Sequence, residues 1–266
     1  MLIQRVISGG LGIALMLIFV IKGGSLFFLG VLFLTLRSLY EFNNSLINRN
    51  IYPLRWLGYL TAVAYLFSVF YFNTDKLFPF ILLISLLTGF IFFLINYKKV
   101  TLEDVIFTVF EIVYIVFLFG YLILVRNMEN GKNFIWLAFL SVWANDTFAY
   151  FFGIKFGKHK LAPLISPKKT IEGSIAGVIG SVLILIIYTK YIPQPYLTNL
   201  HIIFWGISLS LLAQAGDLTA SSLKRFSNIK DYSNLIPGHG GILDRFDSVL
   251  FAFPVIYYYI TYLLDL

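Results

Sequence analysis

Nine times along this chain, 16 to 22 residues pass with almost no charge. A run of about 20 mainly apolar residues is what an α-helix needs to cross the hydrocarbon core of a bilayer. The runs cover residues 6–21, 25–40, 54–73, 77–96, 104–125, 134–154, 174–191, 201–222 and 246–264. They predict an all-α fold: a polytopic integral membrane helical bundle of about nine transmembrane helices. Composition points the same way, because 59% of the 266 residues are hydrophobic and only 12% are charged, too little charge to cover a soluble surface. Only Lys22, Gly23 and Gly24 separate the first two runs, so these form either two spans or a re-entrant pair. Arg5 followed by an apolar stretch has the outline of a signal peptide, but the apolar pattern resumes at Leu26, which predicts an uncleaved first span.

Orientation follows from the basic residues. With the N-terminus in the cytoplasm, fourteen Lys and Arg, Arg5 among them, fall in cytoplasmic loops and five on the opposite face, the bias expected of an inner (cytoplasmic) membrane protein. The two most basic loops, 155–173 and 223–245, then face the cytoplasm, where nucleotides are found. A net charge of +7 is modest for such a protein and suits lipid phosphates or a small anionic substrate rather than nucleic acid. The chain has no cysteine, which excludes disulfides, thiolate nucleophiles and thiolate metal sites.

No tandem repeat or low-complexity tract divides the chain; polarity does. The first five spans hold few ionisable groups, with Arg37 and Glu111 as exceptions. Residues 1–133 are expected to act as scaffold, lipid groove or dimer contact, and residues 134–266 as the catalytic region.

Within that region, Gln214, Asp217, Ser221 and Lys224 recur at spacings of 3, 4 and 3, which puts them on one helical face. A carboxylate at the end of an apolar helix must be paired, hydrated or metal-bound. Asp217 is therefore either an ion-pair partner of Lys224 or Arg225 or a metal ligand. Asp244 and Asp247 lie three apart around Arg245. They project to one side of a helix as ligands for a cation, or they merely favour a helix N-terminus. An oxygen-only ligand set with phosphate nearby favours Mg²⁺. The turn Pro237-Gly238-His239-Gly240-Gly241 offers backbone amides that suit phosphate oxygens, although glycines also make ordinary turns. His239 reads equally as a phosphate donor or proton shuttle and as a structural hydrogen bond. Lys155, Lys158, His159, Lys160, Lys168 and Lys169 form a second basic cluster, either a solvated loop or, from Ser166-Pro167, a short helix whose first turn meets an anion. Asp146 is an ionisable group inside a span and a functional candidate on that ground. Gly173, Gly177 and Ser181, at four-residue intervals, mark a close helix-packing face.

The run Ser221, Leu223, Lys224, Arg225, Lys230, Asp231, Ser233, Ile236, Pro237, His239, Gly240, Gly241, Ile242, Asp244, Arg245, Asp247 resembles the signature of the phosphatidate cytidylyltransferases, also called CDP-diacylglycerol synthases. The upstream segments Asp146-Thr147-x-Ala149-Tyr150, Gly157 to Pro163, Ser166 to Gly173 and Gln214-x-Gly216-Asp217-Leu218 are similar to that family too. The resemblance is sharp over residues 145–250 and one of hydropathy before them. It implies CTP and phosphatidic acid as substrates, Mg²⁺ as cofactor and a homodimer. Asp217, Asp244 and Asp247 would hold the metal, with Asp146 and Gln214 as weaker candidates. Lys224, Arg225, Lys230 and Arg245 would hold phosphates, helped by Lys168, Lys169, Ser221 and the Gly238, Gly240 and Gly241 backbone, while Asp231 orients Lys230 and His239 completes the set. A membrane CTP-dependent lipid kinase and an ion-coupled transporter are the rival readings.

Overall fold

A computed structural model describes residues 2–194 and 197–264, with side chains from Ile7 onward; the side chain of Arg5 lies outside the described residues. The chain is helical almost throughout and divides into two compact units, Met1–Met128 with Phe226–Arg245, and Glu129–Arg225 with Phe246–Leu266. Among the described residues seven helices are long and apolar enough to cross a membrane. The other two expected spans are also helical: α1, with its apolar part at Ile7–Lys22, and α3.

In the first unit, α1 (Leu2–Lys22) turns at Gly23 into α2 (Gly24–Leu46). Gly23 has φ +65°, a left-handed conformation that glycine adopts without strain. The Arg126 Nε donates to the Val20 carbonyl at 2.7 Å and ties down this corner. Helices α3 (Arg55–Phe72) and α4 (Phe78–Ile95) follow. The fifth expected span is a composite: α5 (Leu102–Glu111), a π-helical segment (Ile112–Phe117) and α6 (Leu118–Asn127). Thr101 starts α5 through a capping box with Asp104, satisfying two amides that the helix itself cannot. Asp104 also accepts from Tyr52 N at 2.6 Å, and Thr108 Oγ1 from Leu54 N at 2.7 Å. The polar end of α5 thereby fixes the segment entering α3.

The core of this unit is aromatic. Phe42, Tyr65, Phe119 and Tyr121 are fully buried, and the rings of Phe78 and Phe117 stack with centroids 3.9 Å apart. Glu111, the acidic residue expected inside a span, is buried and accepts from Asn43 Nδ2 at 2.6 Å. The outward residues Leu60, Phe80, Ile91 and Leu94 are exposed, an apolar surface suited to lipid.

In the second unit, α7 (Gly131–Phe156) packs along α8 (Ile171–Tyr191), followed by α9 (Asn199–Phe226). The predicted small-residue face is what permits this. Gly177 lies against the Asn145 backbone and side chain, Gly173 against the Ala149 carbonyl, and Ser181 bonds to Ser141 at 2.5 Å and to the Gly206 carbonyl at 2.9 Å. The α7–α8 connection is an antiparallel hairpin of β1 (Lys160–Ala162) and β2 (Ser166–Thr170). This rules out the short helix from Ser166-Pro167, one of the two alternatives for this segment: proline biases the residue before it to extended backbone, and α8 starts only after Thr170, whose side chain caps Gly173 N at 3.2 Å. The last expected span is broken into α10 (Leu243–Leu250) and α11 (Ala252–Leu263). Pro254 has no N–H to bond back to Leu250, which favours a break there.

Candidate functional site

The polar face predicted on α9 exists, with partners that sequence spacing does not supply. Asp217 Oδ2 meets Lys169 Nζ at 2.6 Å, the two side chains being 32% and 26% exposed. Ser221 Oγ donates to Asp217 Oδ1 at 3.2 Å. Asp217 thus pairs with Lys169 of β2 and not with Lys224 or Arg225, the partners that the ion-pair reading of this residue offered. Lys224 is buried and lies 3.9 Å from Asp247 Oδ2. Asp247 Oδ1 accepts from Ser248 N at 2.7 Å and Ser248 Oγ at 3.2 Å. Helices α9 and α10 come so close that a Cβ on Gly216 would collide with the Asp247 carbonyl. Two carboxylates and two ammonium groups therefore share the end of α9.

Gln214 belongs to a buried polar cluster one turn deeper. Its Nε2 donates to Asn145 Oδ1 at 2.9 Å and to the Ser174 carbonyl at 3.2 Å, and its Oε1 accepts from Ser174 Oγ. Ser210 Oγ donates to the same Asn145 oxygen at 2.7 Å, and Asn145 Nδ2 donates to Asp146 Oδ1 at 2.9 Å. Asn145, Ser174 and Ser210 were not expected in the site. Asn145, a buried amide beside Asp146 in a span, was the signal available in the sequence. On the hairpin side, Glu172 accepts from the amides of Lys158 and His159 at 3.1 and 3.3 Å and pairs with His159 Nδ1 at 2.6 Å. An internal carboxylate thus fills the start of α8, while Lys168 remains exposed.

Residues Phe226–Arg245 of the signature belong to the first unit. Arg49 Nε donates to the Phe226 carbonyl, and Asn48 Nδ2 to that of Ser227 at 3.3 Å. Gly238 and Gly240 have φ of +77° and +85°, so the turn requires glycine at both. Three of its amides are committed internally. His239 N and Gly240 N donate to the Ile236 carbonyl at 2.9 and 3.1 Å, and Gly241 N to Asp244 Oδ2 at 3.0 Å. The same Asp244 oxygen takes Tyr232 N at 2.8 Å. Of the Gly238, Gly240 and Gly241 backbone that would help hold phosphate, the Gly240 and Gly241 amides thus have acceptors within the protein, and Asp244 is buried. His239 Nδ1 lies 2.9 Å from the side-chain Oγ of Ser8, which also donates to the Pro237 carbonyl at 3.1 Å. Arg225, Lys230, Asp231 and Arg245 are exposed.

The expected metal can be tested against these contacts. Among the described residues no three His, Cys, Asp or Glu side chains converge on one point. Mg²⁺ does not require such a cage, since it usually takes one or two carboxylates together with substrate phosphates and water. Asp217 and Asp247, oxygen donors on closely packed helices, fit it.

The fold is that of a helical membrane protein with lysines and aspartates gathered at the end of one span. The chain belongs to the cytidylyltransferase family, whose model matches residues 3–263. It is 40% identical over 161 residues to a phosphatidate cytidylyltransferase of Bacillus subtilis, covering 59% of each chain. It is 42% identical over 142 residues to one of Staphylococcus epidermidis and 43% identical over 140 residues to one of Staphylococcus aureus, covering 52% of each chain in both cases. The matched stretches thus span between half and three-fifths of these relatives.

Proposed function

We propose that this protein is a phosphatidate cytidylyltransferase, transferring CMP from CTP to phosphatidic acid to give CDP-diacylglycerol and pyrophosphate in phospholipid synthesis. The observation that carries the reading is the pairing of Lys169 with Asp217 and of Lys224 with Asp247 at the end of α9. Ammonium groups held by aspartates can turn to phosphate oxygens when a polyanion arrives. In the reaction, a phosphatidate oxygen forms a bond to the α-phosphorus of CTP. The α–β phosphoanhydride bond breaks, and pyrophosphate leaves with its electron pair. A phosphomonoester with a second pKa of about 6 is already largely dianionic at neutral pH, so no strong base is required. The chain's contribution is alignment and charge neutralisation.

Lys169 and Lys224 would bind phosphate oxygens and offset their repulsion, with the exposed Lys168 and Arg225 adding to the field that draws CTP in. Asp217 and Asp247 would hold Mg²⁺, which when bound neutralises and orients the polyphosphate. Gln214, fixed by Asn145 and Ser174, keeps the α9 face in register. The basic loops are read as cytoplasmic, the protein as lying in the inner membrane and working as a homodimer, and the diacylglycerol as remaining in the bilayer.

The test is purified protein in detergent with phosphatidate, Mg²⁺ and CTP labelled at either the α or the γ position. The expected result is α-label in the lipid fraction and γ-label in pyrophosphate. A lipid kinase would place γ-label in lipid and leave α-label in CDP, and a transporter would consume no CTP; either outcome refutes the reading.

A further inference from the structure

One carboxylate outside every motif holds the signature loop in place. Glu41, on α2, is fully buried. Its Oε1 accepts from Ser233 Oγ at 2.7 Å and from Ile242 N at 3.1 Å, and its Oε2 accepts from Leu243 N at 3.0 Å. Arg37, one turn earlier, approaches Oε1 with Nε at 3.3 Å. Leu243 carries the first amide of α10 and Ile242 the amide just before it, where a helix has no acceptor of its own to offer and its start favours negative charge. Glu41 therefore sits where an external anion would otherwise bind, at a sequence separation of about 200 residues. The contact also explains a glycine: a Cβ on Gly241 would run into the Glu41 carboxylate.

We propose that Glu41 is a positioning residue for the transfer reaction. It is an internal anion at the start of α10 that fixes the loop, so that substrate phosphates are taken by lysine and arginine side chains rather than by the loop's backbone amides. The proposal rests on the cytidylyltransferase reading for its link to catalysis and on geometry alone for its link to loop order. Together Glu41 and Asp244 receive the amides of Tyr232, Gly241, Ile242 and Leu243. Removing Glu41 leaves two of these and the Ser233 hydroxyl without their acceptor and vacates a carboxylate-sized space against them.

The experiment uses the full-length protein in detergent, with Glu41→Ala, Glu41→Gln and, as a control outside the site, the exposed Glu103→Gln. Displacing a reacting constellation by about 1 Å costs on the order of 100-fold in rate. The expected result is a kcat loss of that order for Glu41→Ala, a KM for phosphatidate that moves little, and no change for Glu103→Gln. Formate, which fits the vacated space, should restore part of the rate to Glu41→Ala and none to the wild type. Hydrogen exchange at the Ile242 and Leu243 amides should quicken in Glu41→Ala and slow again with formate. A Glu41→Ala rate within threefold of wild type, or no response to formate in either measurement, overturns the proposal. Should Glu41→Ala not fold, the near-isosteric Glu41→Gln decides: it turns an NH₂ group toward a backbone N–H, and an unchanged rate refutes the role. Should the wild type transfer no CMP, the functional reading fails, and exchange at the two amides alone decides the loop's dependence on Glu41.

Discussion

Lys169→Met separates what the Lys169–Asp217 pair does for folding from what Lys169 does for substrate. The substitution keeps a flexible apolar stem and removes the ammonium that lies 2.6 Å from Asp217 Oδ2. Both side chains are partly exposed, at 26% and 32%, so the pair contributes about 0.2–1 kcal/mol, as solvent-screened pairs do. The melting temperature should accordingly move by only a few degrees. Against the nucleotide the same ammonium makes a charge-assisted contact. Hydrogen bonds to charged groups contribute about 1.5–3 kcal/mol, which corresponds to roughly a 10- to 150-fold rise in the KM for CTP. The assay is the initial rate of α-label entering lipid, at saturating phosphatidate and fixed Mg²⁺ with CTP varied, alongside thermal unfolding in the same detergent. Asp217→Asn in parallel should lower kcat rather than raise KM, because it removes the proposed metal ligand. A KM for CTP within twofold of wild type, with the variant folded, would refute the assignment of Lys169 to the nucleotide.

The Asn145 cluster should show itself in stability. Asn145→Ala removes the acceptor for Gln214 Nε2 and Ser210 Oγ and should cost about 1–3 kcal/mol, measured by reversible unfolding in mixed micelles, with no loss counting against the network. Topology can be read with single cysteines, since the chain has none. Exposed positions Asn199 and Asn234 should label from opposite sides of the membrane, Asn234 from the cytoplasm; labelling from the same side would break the assignment of α9 as a span.

Local properties of the chain are legible in its sequence, and the fold class is one of them. Spanning a bilayer is decided by the apolar content of some 20 consecutive residues, so α4, α7, α8 and α9 fall close to where hydropathy places them. The Gly173–Gly177–Ser181 face is local in the same way, because helical periodicity alone fixes which residues share a side. The polar face of α9 is legible too, since Asp217, Ser221 and Lys224 are one helical face whatever surrounds them. Element breaks were less so: the π-helical Ile112–Phe117 and the interruption near Phe251 leave the hydropathy of their runs nearly unchanged, and the hairpin of β1 and β2 lies in a loop between runs, where hydropathy is silent. Partners are decided only by tertiary structure. Asp217 had Lys224 and Arg225 within two turns, yet it pairs with Lys169 because the hairpin brings β2 to α9. The amides of the glycine turn suit phosphate in isolation, but those of His239 and Gly240 go to the Ile236 carbonyl and that of Gly241 to Asp244, while Glu41 takes the next two, of Ile242 and Leu243. Glu41, just beyond the second predicted apolar run, carries no local mark of its role. A hydrogen bond depends on which atoms the fold brings within about 3 Å, and a separation of some 200 residues leaves no spacing rule by which one sequence could reveal that bond.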